Sequence, residues 1–416
     1  MTAAAILRTE PSALPTALLR KRFLAGLRQV FALFEAPTPE IRGFIASTLL
    51  VRDSTTLLNG LSGTGKTHVI RTIHRTFFDG RPAKDDLGYV ACAQDLTPLD
   101  ALFHLDLAGL LRGEENVSPR AVVTARLKFI NEVQRASTLL FNGLLPLLSE
   151  KHVVFRDRIF KSPSFVCYLD ANPLDSGSTE MPQAFRDRID FSFDMPVLPA
   201  HRALALEDRI LADGTARFGD LIDVARPFLT SLEMESLWEI VRRMPIPAEA
   251  RHIAALLAAH LQACRHTDRS RASADYLLPC RECPNLQDPC AKLAEIPGTR
   301  FLLSLLKLAQ ARAWLRDASE VGVEDLLYGL PYTLSHRLKL RPESRRLYPS
   351  AAAWIREELY RRSVRHRIPK WRQLAAYLLS ETPPEPEVLR ALTFRDQAIE
   401  SLVGDRLAPT RIEAEP

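Results

Sequence analysis

The chain has no uninterrupted apolar run of the ~18 residues that a membrane-spanning helix requires, so no membrane span is expected. It also lacks a basic stretch ahead of its first apolar residues. Ala3 to Leu7 is followed at once by charges at Arg8 and Glu10, which argues against a secretory signal and for a cytoplasmic protein. There is no internal repeat and no long low-complexity segment, which excludes a solenoid or a fibrous chain. Cysteine is sparse, with six in 416 residues, and its placement matters more than its number. Cys92 and Cys167 sit in apolar, strand-like runs, where a thiol serves as a small buried hydrophobe. The other four, Cys264, Cys280, Cys283 and Cys290, lie close together, and in a reducing compartment that clustering points to a metal rather than to disulfides.

What is present fits a soluble protein of two or three globular units. Between about Ala36-Pro37-Thr38-Pro39 and Pro199, short β-like runs alternate with helical stretches. Thr55–Leu58, Leu87–Cys92, Leu127–Ile130 and Phe165–Leu169 read as strands, and such alternation predicts a parallel sheet with helical crossovers. Beyond Ala200 the β signal nearly vanishes. Ala203–Ala212, Leu232–Arg243, Pro247–Cys264, Arg300–Leu315 and Val323–Leu338 carry helical periodicity. The expected organisation is a helical lead-in over 1–40 and an α/β core over 41–200. A helical domain over 201–345, with a cysteine-bearing insertion at 264–290, and a helical extension over 346–416 follow. Net charge is +5, yet His336–Arg372 holds twelve Lys and Arg against three Glu. Such a stretch marks either a solvated helical face or a surface for nucleic acid or an acidic partner.

Gly60-Leu61-Ser62-Gly63-Thr64-Gly65-Lys66-Thr67 matches the Walker A pattern completely, with a β-branched run before it and a helical run after it. Glycines let the backbone curl so that several N–H groups face a phosphate, and the helix adds its positive end. Lys66 is placed for the β- and γ-phosphates, and the Thr67 hydroxyl for Mg²⁺. The pattern predicts a P-loop that binds ATP with Mg²⁺. A P-loop enzyme also needs a strand ending in acids, one beside the metal and one to polarise water. Leu127-Lys128-Phe129-Ile130-Asn131-Glu132 is the candidate, with Glu132 as the base and Asn131 where an aspartate is expected. Asn131 keeps a carbonyl but removes a formal charge from the metal's surroundings.

Asn131-Glu132-Val133-Gln134-Arg135-Ala136, followed by Leu144-Leu145-Pro146-Leu147-Leu148-Ser149-Glu150, resembles the Walker B region of MoxR-type AAA+ proteins, which commonly read Asp-Glu-Ile-Asn-Arg-Ala. Val153–Phe155 and Arg158–Phe160 bracket a turn similar to the family's hairpin, and Ala171-Asn172-Pro173 resembles its sensor 1. Asp187-Arg188 resembles its arginine-finger position, with Arg186 as a rival, and Pro297-Gly298-Thr299-Arg300 its sensor 2. The resemblance spans roughly residues 40 to 342. It implies an α/β P-loop NTPase core with an all-α lid, and a ring, usually a hexamer, that remodels a protein client. A von Willebrand A domain protein is the partner it suggests. It further implies that Asn172 contacts the γ-phosphate or lytic water, that Arg188 enters a neighbour's nucleotide site, and that Arg300 couples the lid to the γ-phosphate.

The cysteine cluster lies outside that pattern. Two residues separate Cys280 from Cys283, six separate Cys283 from Cys290 and fifteen separate Cys264 from Cys280, with Pro279, Pro284 and Pro289 among them. Four thiolates so spaced suit a Zn²⁺ knuckle, with His266 able to replace Cys264, and a [4Fe–4S] cluster is the alternative. Two other functional readings stand beside the remodelling ATPase. One is a nucleotide-gated nucleic-acid-binding protein using the basic 336–372 stretch. The other is a nucleotide-binding scaffold that turns over little because of Asn131.

Overall fold

The computed structural model describes residues 15–34, 38–78, 87–113, 116–172, 179–197, 224–262, 289–295 and 297–380, with a few isolated positions besides. Among the described residues nine strands lie in the first half: β1 (Ser54–Asn59), β2 (Gly88–Ala91), β3 (Phe103–Leu105), β4 (Val117–Pro119), β5 (Leu127–Asn131), β6 (His152–Phe155), β7 (Arg158–Lys161), β8 (Val166–Ala171) and β9 (Phe191–Asp194). Five of them form one sheet in the order β2-β5-β8-β1-β9, every pairing parallel. The α/β expectation is met. The sequence anticipated four of these strands to within two residues at each end. It missed β9, whose Phe-Ser-Phe-Asp run is too short to carry a period.

Alternation along the strands divides the core into two faces. Leu58, Phe129, Tyr168 and Phe193 face one layer, covered by α1 (Thr16–Phe34), α2 (Pro39–Leu49) and α3 (Lys66–Phe77). Leu57, Ile130, Leu169 and Cys167 face the other, covered by the helix Thr138–Glu150 through Phe141, Leu144 and Leu147. That helix is started by the Ser137 hydroxyl, which accepts the Leu140 amide. The lead-in helix α1 packs directly on α3, with the Phe23 and Phe77 rings 5.1 Å apart, so it shares the core of the phosphate-loop helix.

Lys128 is the one fully buried lysine among the described residues. Its Nζ donates to the carbonyls of Val122, Val123 and Ala125 at 2.7, 3.0 and 2.8 Å, closing the short helix Ala121–Thr124. Burial pulls its pKa down to about 7, while the three acceptors favour the ammonium. A side chain without donors would leave three buried carbonyls unpaired, at about 1–3 kcal/mol each.

The second half is helical, as expected. Ser231–Arg242 begins with a reciprocal capping box between Thr230 and Glu233, and Trp238 anchors it by donating to the Leu49 carbonyl at 2.9 Å. Ala248–Gln262, Arg300–Leu315 and Val323–Leu334 build a separate core with Trp354 and Trp371, which come from the helical run Ala351–Leu379. Buried Asp325 accepts from Nε and Nη2 of Arg316 and caps the Gly322 amide, so its charge is paired. The helix expected over Val323–Leu338 stops at Leu334. Beyond it Lys339–Leu340 forms β11, paired antiparallel with β10 (Leu293–Glu295). The helix expected over Ala203–Ala212 falls almost entirely outside the described residues. No helix among the described residues is long and apolar enough to cross a membrane.

Much of the basic 336–372 stretch is used within the molecule. Arg337, Lys339, Arg356, Arg361, Arg362 and Arg372 form ion pairs with Asp187, Glu295, Glu40, Glu357, Glu358 and Glu249. Six of the twelve Lys and Arg of this segment are thus engaged with acids of the same chain.

Candidate nucleotide site

β1 ends at Asn59, and the Gly60 amide still donates to Ala171 O before the chain leaves the sheet. Gly63 and Gly65 both have φ of +82°, a conformation that any side chain would strain. A Cβ on Gly65 would lie 2.7 Å from the Phe34 ring, and one on Gly60 would lie 2.9 Å from Met195 Cβ. The loop thus has the form of a cradle that calls for glycine at 60, 63 and 65. It opens onto the first turn of α3, a 12-residue helix that no side chain caps at Gly65 and whose leading amides have no intrahelical acceptor. Thr64 steadies the curl by donating to Leu61 O at 2.9 Å. Lys66 is buried, with Nζ donating to Gly60 O at 2.7 Å and Leu61 O at 3.0 Å.

A cleft of about 390 Å³ lies over this loop. It is lined by Ser62, Gly63, Thr64, Gly65, Lys66, Thr67 and His68 on one side and by Asn131, Glu132 and Asp170 on the other. Three loop elements of the expected site, the Walker A run, the Asn131–Glu132 pair and Asn172, therefore meet at one end of the sheet. Asn172 follows β8, and its Nδ2 lies 3.4 Å from Ser62 Oγ.

Glu132 has a φ of +54°, strained for a residue with a Cβ. The Asp170 carboxylate secures that turn by accepting the Glu132 amide at 2.7 Å. The Glu132 carboxylate is itself oriented by Gln134 Nε2 at 2.9 Å and Arg135 Nε at 3.1 Å, both on Oε2. Burial lowers the pKa of Lys66, opposed by the charges of Asp170 and Glu132. Burial raises that of Asp170, opposed by the Glu132 amide and by Lys66. Asp170, Gln134 and Arg135 were not singled out from the sequence. The available signal for Asp170 was a carboxylate at the carboxyl end of an otherwise apolar strand, where ligands of parallel sheets bind.

Arg188 and Arg300 are brought together, but elsewhere. With Gln183, Arg186, Asp187, Pro297 and Arg337 they line a second pocket of about 520 Å³. Arg300 Nη1 lies 3.6 Å from Asp187 Oδ2, and Arg188 Nη1 donates to Ala184 O. Arg186, the rival finger, is tied to Glu295 at 3.2 Å. This pocket lies by the amino end of β1, opposite to the end that feeds the P-loop. Asp190 accepts the Thr55 amide at the start of β1 and the Ser304 hydroxyl from the Arg300 helix. From Thr55 to Gly60 is five residues of strand, about 16 Å at about 3.3 Å each. Neither arginine is positioned for the triphosphate of its own cleft.

The hairpin expected around Arg156-Asp157 is present as β6 and β7. Cys264, Cys280, Cys283 and His266 lie outside the described residues, as does the side chain of Cys290. Among the described residues no group of three or more His, Cys, Asp or Glu is arranged to hold a metal. A nucleotide-bound Mg²⁺ does not need one, since it takes phosphate oxygens and waters and only one or two protein carboxylates.

Comparison with known proteins agrees with this geometry. Residues 55–189 match the AAA domain of the dynein-related subfamily, and residues 287–357 match the AAA lid domain. The chain is 28% identical to the protein MoxR of Paracoccus denitrificans over 294 residues, 69% of this chain and 80% of that protein. It is 25% identical to MoxR of Methylorubrum extorquens over 69% of this chain and 79% of that protein. The uncharacterised YeaC of Bacillus subtilis is 24% identical over 72% and 82%. A crystal structure of an inferred ATPase from Cytophaga hutchinsonii superposes with a TM-score of 0.64 at 18% identity, covering 82% of this chain and 94% of the other, and so shares the fold. With a glycine-lined phosphate cradle, a parallel AAA sheet, a helical lid and this extent of likeness to two MoxR proteins, the chain belongs to the MoxR family of AAA+ ATPases.

Proposed function

We propose that the chain binds ATP with Mg²⁺ in the Gly60–Thr67 cleft and hydrolyses it within a ring of identical copies. The ring uses the resulting motion to remodel a protein client in the cytoplasm. The observation that carries this reading is the separation of the two pockets. The cleft holds Lys66, Thr67 and Glu132, while Arg188 and Arg300 stand together by the amino end of β1. Side chains so placed have a role in phosphoryl transfer only if a second copy presents its own cleft to them. A head-to-tail contact of that kind closes into a ring. Arginines supplied across such a contact neutralise charge that develops on the transferred phosphoryl group. Glu132, held by Gln134 and Arg135, is the base that polarises the attacking water.

A hexamer and a von Willebrand A domain client extend this reading by family likeness. The zinc knuckle at Cys264, Cys280, Cys283 and Cys290 extends it by spacing alone. Nucleic acid is the weaker second reading, because half of the basic residues in 336–372 already pair with acids of the same chain. The test is Glu132→Gln. ATP affinity should be kept while turnover falls about 10²- to 10⁴-fold, the usual contribution of a general base. Turnover equal to that of the unaltered protein would remove Glu132 from the chemistry.

A further inference from the structure

We propose that Asp170 is the carboxylate this chain turns toward the nucleotide's Mg²⁺, the acid having moved one strand across from the position that Asn131 occupies. The inference rests on the reading of the P-loop cleft as an ATP site and assigns the metal side of that site.

The register of the sheet places the two residues side by side. Ile130 of β5 pairs with Leu169 of β8, so the next step along both strands sets Asn131 beside Asp170, with about 4.8 Å between the strands. Alternation then puts both on one face. Ile130 and Leu169 point to the layer of the Thr138–Glu150 helix, whereas Phe129 and Tyr168 point to the layer of α3. Asn131 and Asp170 follow the second pair, toward the helix that begins at Lys66. On its other side Asp170 pairs in register with Leu58, two residues before the P-loop. It therefore stands between the strand that ends in Asn131 and the strand that feeds the loop, and it lines the cleft with Lys66 and Thr67.

The charge itself needs an explanation. Asp170 is 4% exposed, and the cation acting on it is Lys66 across the same cleft, which makes no ion pair with it and donates instead to the Gly60 and Leu61 carbonyls. Its hydrogen bond from the Glu132 amide accounts for an oxygen acceptor at this place. An asparagine would supply that acceptor without burying a charge, so the turn alone does not call for a carboxylate. A divalent cation held by nucleotide phosphates and the Thr67 hydroxyl does. The face over α3 thus keeps one metal-directed acid although β5 ends in an amide.

The test compares the unaltered protein, Asp170→Asn and the double variant Asn131→Asp/Asp170→Asn. Binding of a fluorescent ATP analogue is measured in EDTA, and Mn²⁺ affinity is measured by its paramagnetic signal with the analogue bound. Asp170→Asn should lose about 10- to 100-fold in Mn²⁺ affinity, as substitutions around a metal commonly do, while binding of the analogue in EDTA is kept. The double variant, with the acid returned to β5, should recover most of the loss. Full Mn²⁺ affinity in Asp170→Asn would overturn the assignment. Should Asp170→Asn fail to fold, the double variant decides: recovered Mn²⁺ affinity supports the assignment and its absence overturns it. An unaltered protein that binds no analogue in either condition would sink the nucleotide-site reading instead.

Discussion

Arg188 lies near the amino end of β1, which runs about 16 Å from Thr55 to the phosphate loop of its own chain, and on the ring proposed above its partner is another copy. Two inactive variants should then rescue each other. Arg188→Ala removes the finger and leaves the cleft whole, and an arginine finger contributes about 10³- to 10⁵-fold to turnover. Glu132→Gln removes the base and leaves the finger whole. In rings co-expressed from equal amounts of both, a productive contact needs an intact Glu132 facing an intact Arg188. Random assortment gives that arrangement at about one contact in four of a closed ring. Steady-state phosphate release should therefore return to roughly a quarter of the unaltered rate per chain, from well under a hundredth for either variant alone. Arg300→Ala should behave as Arg188→Ala does, because the two share one pocket. Mixed rings no more active than the average of the two variants would refute the placement of Arg188 across the contact.

Other consequences can be checked separately. His260 is buried against Trp371 and bonded to Ser363 Oγ at 2.7 Å, and burial, aided by the charge of Arg367, lowers its pKa from 6.5 to about 3. The unfolded chain takes up that proton first. The stabilising effect of the neutral ring is thus whole above pH 6.5 and lost on acidification toward pH 3, at up to about 1.4 kcal/mol per pH unit. His260→Gln should flatten the fall in thermal midpoint between pH 6 and 4, and an unchanged slope would contradict the assignment. For the cysteine cluster, the spacing predicts about one zinc per chain in elemental analysis of purified protein, lost on replacing Cys280 and Cys283 by Ser. Protein free of zinc and of iron would refute a metal role.

The parts of the fold legible in the sequence were those with a strong local cause. The glycine loop declares itself because phosphate binding dictates its residue types, and β1, β5 and β8 because they are buried on both sides and consist mainly of apolar and β-branched residues. β9 was not legible, since four residues with an exposed aspartate carry too little pattern and are strand only by pairing with β1. Asp170 was hidden for a different reason. Its role depends on a register across two strands, and no local spacing relates residue 170 to residue 131. Arg188 and Arg300 were each identifiable by motif. That they share a pocket by the amino end of β1 follows only from Asp190, Ser304 and Asp187 joining segments more than a hundred residues apart.

The central claim is that the backbone before α3 grips a triphosphate with Lys66 at its mouth. Calorimetric titration of ATP into the unaltered protein and into Lys66→Ala, at matched Mg²⁺ and with both confirmed folded by thermal melting, measures this directly. The account predicts a saturable heat for the unaltered protein and none for Lys66→Ala. Equal affinity in the two would contradict it.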